Sequence, residues 1–123
     1  MCLIANSNIP YVAEQDIICY KLYIRIQNKY VSPFQKCDMP NINELVTTEL
    51  QKPGEIFIEK GFHSFAYLED AENTNKWLES VSYYKSCIAK CIIPKGSRFY
   101  AGKFDGDEYS YCSESIKIEK IIY

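Results

Sequence analysis

The stretch Ile88–Phe104 constrains this chain more than any other. It holds two apolar, β-prone runs, Ile88–Ile93 and Arg98–Phe104, split by Pro94-Lys95-Gly96-Ser97. Proline presets φ and glycine supplies a left-handed position without a Cβ clash, so the joint reads as a tight turn. The expectation is two adjacent strands from the interior of a sheet, with everything else packed around them.

The flanking sequence completes an α+β domain spanning residues 1–123: a mostly antiparallel sheet with one helical insertion at about 65–84. Residues 1–15 are polar, contain Pro10, and read as a loosely docked N-terminal arm. Ile17–Gln27 follows as a long strand. Tyr20, Leu22, Ile24 and Ile26 alternate on one face and Lys21, Tyr23, Arg25 and Gln27 on the other, as a strand with one buried face requires. Gln27-Asn28-Lys29 reads as a hairpin turn into Tyr30–Phe34, where Ser32-Pro33 ends that second strand or marks it as an edge. Residues 41–51 are ambiguous, since a capping-box pattern at Asn41–Glu44 competes with the β-branched Val46-Thr47-Thr48; extended or irregular structure is expected. Pro53-Gly54 is a turn, Ile56–Glu59 a short strand, and Gly61–Phe65 continues extended. Phe65, Leu68, Ala71, Leu78 and Val81 then recur at helical spacings behind Ser64 as N-cap, with Asn73-Thr74-Asn75 as a potential break. After the two landmark strands and a turn at Asp105-Gly106, Tyr109–Cys112 and Ser115–Ile122 finish the sheet.

Composition narrows the function classes. Fourteen basic residues against sixteen acidic ones give a net charge of −2, and no basic residue adjoins another. Nucleic-acid binding needs clustered positive charge to release counterions, so no nucleic-acid partner is expected; a polybasic membrane contact fails for the same reason. No segment approaches the ~20 apolar residues of a membrane span, and the N-terminus lacks a signal peptide. The six cysteines are therefore expected as reduced thiols of a cytoplasmic protein. The eleven tyrosines suit a sheet, and also an aromatic ligand-binding face.

Individual residues offer limited chemistry. His63 is the single histidine, so any imidazole mechanism must use it. Ser64 beside it would point to the opposite face of an extended chain, which argues against a nucleophile–base pair. Cys87 and Cys91 share a face, but a structural zinc site would need Cys112 or His63 to complete it. Asp105-Gly106-Asp107-Glu108 reads as a solvated hairpin tip. The glycines form neither a dinucleotide fingerprint nor a P-loop, and no cofactor is expected. Lys95, Arg98 and Lys103 are the basic residues nearest a turn, suited to an anionic ligand.

Gly61-Phe62-His63-Ser64-Phe65 together with Cys91–Tyr100 resembles a family of short, uncharacterised bacterial and phage proteins. They share an early Tyr-Lys strand (here Tyr20-Lys21), the Ile-Pro-Lys-Gly-Ser turn and a closing isoleucine-rich strand; the resemblance implies a shared fold. Glu55–Ser64 and Ile92–Phe99 are also similar to segments of mono-ADP-ribosyltransferases. That likeness places Lys21 at the position of the family's first-strand arginine and Ser64 in its Gly-Phe-x-Ser-Thr-Ser strand. It puts Ala89-Lys90-Cys91, with no carboxylate, where the catalytic glutamate belongs, leaving nothing to stabilise an oxocarbenium-like centre. The expected function is a binding or interaction domain without catalysis, taking a nucleotide-like ligand or a protein partner. Its ligand-binding residues are expected to be His63, Ser64, Lys21, Tyr20 and Arg98. The alternative is an ADP-ribosyltransferase-like or other NAD- or nucleotide-acting enzyme.

Overall fold

A computed structural model describes residues 3–33, 38–81, 84–104 and 108–122. Its strands are β1 (Leu3–Ala5), β2 (Tyr11–Val12), β3 (Ile17–Ile26), β4 (Lys29–Val31), β5 (Leu45–Thr47), β6 (Phe57–Ile58), β7 (Phe62–Phe65), β8 (Ser86–Ile93), β9 (Arg98–Lys103), β10 (Tyr109–Ser113) and β11 (Ser115–Ile121). One helix, α1 (Leu68–Val81), stands between β7 and β8. The chain is thus predominantly β, and the strands pair antiparallel in the order β5-β11-β8-β3-β7-β10-β9-β1-β6. β4 hangs on β3, and β2 on β9.

The landmark runs are both strands, but they are not neighbours. β3, β7 and β10 lie between β8 and β9. In a flat sheet that is four strand spacings, about 19 Å. The turn is real: Ser97 N–H donates to Pro94 O at 3.1 Å, with Gly96 at φ 91°. A turn closes its ends to under about 7 Å, and one residue on each side adds about 3.8 Å, so the connection reaches only about 15 Å. The sheet must therefore fold back on itself. The crease lies between β3 and β7, which share a single paired position, Tyr20↔Phe65. By contrast β3 and β8 are paired from Ile17↔Ile93 to Ile24↔Ser86. With β3 and β11 occupying both edges of β8, β9 has no edge of β8 to join.

Residues 3–15, expected as a loose arm, instead hold two strands. Leu3 is fully buried, and Gly102 lets β1 approach β9 so closely that a Cβ there would sit 2.0 Å from Ile4 O. The arm also clasps the Pro94–Ser97 turn: Gly96 N–H donates to Ala13 O at 2.8 Å, Ala13 N–H to Ser97 O at 2.9 Å, and Lys95 N–H to Asp16 Oδ1 at 2.9 Å.

The Gln27-Asn28 hairpin forms with both residues at positive φ, 49° and 67°, as a two-residue primed turn requires. Residues 45–47 are strand, and no helix forms over the 41–51 stretch. The helix runs unbroken through Asn73-Thr74-Asn75. Ser64 is not its cap; it lies inside β7 and is buried. The Asp105-Gly106 turn falls outside the described residues.

Two main cores flank the sheet, beside a small cluster of Ala13, Phe99 and Ala101. One packs Leu22, Ile24, Phe65, Ile88, Tyr100 and Phe104 with Ala71 and Leu78 of α1. The other joins Cys19, Tyr23, Cys91, Ile93, Ile116 and Ile118, with Tyr30, Met39, Val46 and Phe62 packed against them. β3 is thus buried on both faces, and Lys21 and Tyr23, expected on an open face, are covered.

Candidate functional site

Beyond the Tyr20↔Phe65 rung the two halves of the sheet diverge, and a cleft of roughly 560 Å³ opens between the start of β3 and the β9–β10 hairpin. Its lining follows from strand alternation. Phe99 and Ala101 take one face of β9, Tyr109 and Tyr111 the matching face of β10 (Tyr111↔Ala101), and Tyr11 of β2 stands opposite Phe99. Ile17, Ile18, Gln15 and Asp16 form the far wall. The small Ala101 leaves the floor low between its aromatic neighbours.

Five rings form a continuous row along this face. Tyr11–Phe99 and Phe99–Tyr111 centroids are each 5.7 Å apart, Tyr111–Tyr109 6.1 Å and Tyr109–Tyr67 6.4 Å. The middle contacts are edge-to-face, at 85° and 90°, the arrangement that the ring quadrupole favours. Burial raises the Tyr111 phenol above its ordinary pKa, so it remains a proton donor at neutral pH. The β3 edge at Ile17–Ile18 that faces away from β8 has no strand partner among the described residues. Unpaired peptide groups beside apolar rings offer a ligand both a stacking surface and directional hydrogen bonds.

The five residues singled out from sequence are distributed differently. Lys21 and Ser64 follow the Tyr20↔Phe65 rung on β3 and β7, and both lie near Cys19. Lys21 Nζ donates to His63 O at 2.7 Å and lies 5.8 Å and 6.0 Å from the Tyr23 and Phe62 ring centroids. Ser64 Oγ is buried without a hydrogen-bond partner of ordinary geometry and lies against Cys19. The His63 ring points to the opposite, helix-side face, where Nε2 donates to Ile58 O at 3.2 Å and the ring packs on Phe104. Burial holds its pKa down, to about 4. Tyr20 also packs on the helix side. Arg98 opens β9 and forms a two-nitrogen contact with Glu114 at 3.2–3.3 Å. None of the five lines the aromatic cleft.

The cysteines considered for a metal site fall on two sides: Cys87 and Cys91 belong to one core, Cys112 to the other. Among the described residues, no three His, Cys, Asp or Glu side chains are placed to share a metal ion. No described helix is long and apolar enough to cross a membrane.

The cleft residues Tyr11, Asp16, Phe99, Tyr109 and Tyr111 escaped residue-by-residue reading. Their only sequence signal is the abundance of tyrosine, because they converge from separate strands through the crease. Comparison with protein-family models, curated proteins and solved structures finds no match to this chain.

Proposed function

We propose that this chain is a non-catalytic binding domain whose aromatic cleft takes a small ligand bearing a flat, nucleotide-like ring. The observation that carries the reading is the row of rings from Tyr11 to Tyr109 along the opening of the folded sheet. A base would lie on these rings, which contribute about 1–3 kcal/mol per stacked base, while the open β3 edge and the Asp16 carboxylate meet its polar rim. Free, buried Cys19, Cys87, Cys91 and Cys112 fit a cytoplasmic protein of this kind. Titration of the wild-type chain and Tyr111→Ala with nucleosides and nucleotides, followed by calorimetry, tests it. Saturable binding weakened about tenfold or more by the substitution is expected; no binding to the wild type, or binding indifferent to Tyr111, overturns it.

A second reading, an enzyme acting on NAD or another nucleotide, draws support from one placement. Lys21 and Ser64, the residues the transferase resemblance aligns, are the next residues beyond the Tyr20↔Phe65 rung on β3 and β7. Incubation with labelled NAD decides it: turnover lost in Ser64→Ala supports catalysis, and no turnover by the wild type sinks it.

A further inference from the structure

Cys19 and Cys91 stand directly opposite each other on β3 and β8. Opposed residues of an antiparallel pair share a face, with Cα atoms about 4.5–5.5 Å apart, inside the 4.4–6.8 Å span that a disulfide accepts. Both thiols are fully buried in the same core, where Cys91 Sγ donates to Ala89 O at 3.5 Å. Ser64 Oγ lies against Cys19, and the Lys21 ammonium is close by on the same face. We propose that Cys19 and Cys91 form a dithiol pair that a hydroperoxide converts to a cross-strand disulfide. This proposal is independent of the ligand assigned to the cleft.

The surroundings set the order of events. Burial works to raise the Cys19 thiol, but the neighbouring Cys91 thiol, Ser64 hydroxyl and Lys21 charge outweigh it and leave its pKa below the ordinary value. Cys91 is pushed the other way, by the neighbouring Cys19 and by burial. Cys19 is therefore the attacking thiolate. Its sulfur displaces at the peroxide O–O bond, giving Cys19 sulfenic acid and hydroxide, which leaves as water after taking a proton. The Cys91 sulfur then attacks Cys19 Sγ, breaks the S–O bond and expels a second water that carries the Cys91 proton. Two thiols lose two electrons and one peroxide is reduced. Tyr111 and Ile17, both lining the cleft, pack on the core that holds Cys19 and give a water-sized oxidant an approach to it.

The test treats the folded chain with hydrogen peroxide, quenches with catalase, alkylates under denaturing conditions and maps the peptides. A Cys19–Cys91 cross-linked peptide is expected, with an intact-mass loss of about 2 Da and with Cys87 and Cys112 still alkylated. Cys91→Ser is expected to stop at a Cys19 sulfenic acid captured by dimedone, and Cys19→Ser to give neither product. Should either variant fold poorly, the wild-type map stands by itself. Full alkylation of Cys19 and Cys91 in the wild type, a cross-link through another cysteine, or one seen only after unfolding in urea overturns the proposal.

Discussion

Lys21 Nζ donates a 2.7 Å hydrogen bond to the carbonyl of His63, joining β3 to β7 beside the single rung that connects the two halves of the sheet. A buried ammonium is costly unless it is well partnered. Here a peptide carbonyl and the faces of Tyr23 and Phe62 supply that company. Lys21→Met keeps the length of the stem and leaves the His63 carbonyl short of a donor. The expected cost is about 1–3 kcal/mol, read as a lower urea midpoint at unchanged m. An unchanged or higher midpoint would show that the charge burdens the crease more than it joins it.

His63 gives the fold a pH dependence of known sign. Its folded pKa is about 4 against the 6.5 of a free imidazole, because burial disfavours the cation. Between those values the unfolded chain takes up a proton that the folded chain refuses. The His63 contribution is therefore fully present above pH 6.5, falls as pH drops toward 4, and is flat below, for a total on the order of 3 kcal/mol. Urea denaturation across this window should show the slope in the wild type and a flatter one in His63→Gln. Equal slopes would remove His63 as the source.

Gly102 is required by close approach rather than by an unusual φ. Any Cβ there would meet the Ile4 carbonyl oxygen at 2.0 Å and the Ala5 Cα at 2.8 Å, both backbone. Gly102→Ala should cost at least about 2 kcal/mol, and hydrogen exchange should show β1 amides losing protection before those of β8. Uniform protection in the variant would contradict the assignment.

Asp16 links the turn to the arm through Lys95 N–H at 2.9 Å. Removing the acceptor in Asp16→Ala should lower stability by about 1 kcal/mol, whereas Asp16→Asn keeps an oxygen acceptor and should recover most of it. If both variants lose the same amount, the charge rather than the hydrogen bond is what matters.

Local features of this fold were legible in the sequence. The alternation of β3, the Gln27-Asn28 hairpin, the apolar spacing of α1 and the Pro94–Ser97 turn each depend on a few neighbouring residues. What escaped detection is long-range. A turn specifies how the chain reverses but not whether the flanking strands then pair, so β8 and β9 read as neighbours when three strands separate them. The second face of β3 is covered by Tyr30, Met39, Val46 and Phe62, which no pattern local to β3 announces. The aromatic cleft is assembled by strand order alone, which no local pattern encodes.

The Pro94–Ser97 connection has a mechanical consequence. Because it spans the two halves of a folded sheet held by one rung, it acts as a tether whose length limits the angle between them. The width of the cleft then depends on a segment that does not line it. Lengthening that tether together with residues 13–16, which join β2 to β3 across the same opening, would let it swing wider while every ring in its wall stayed the same.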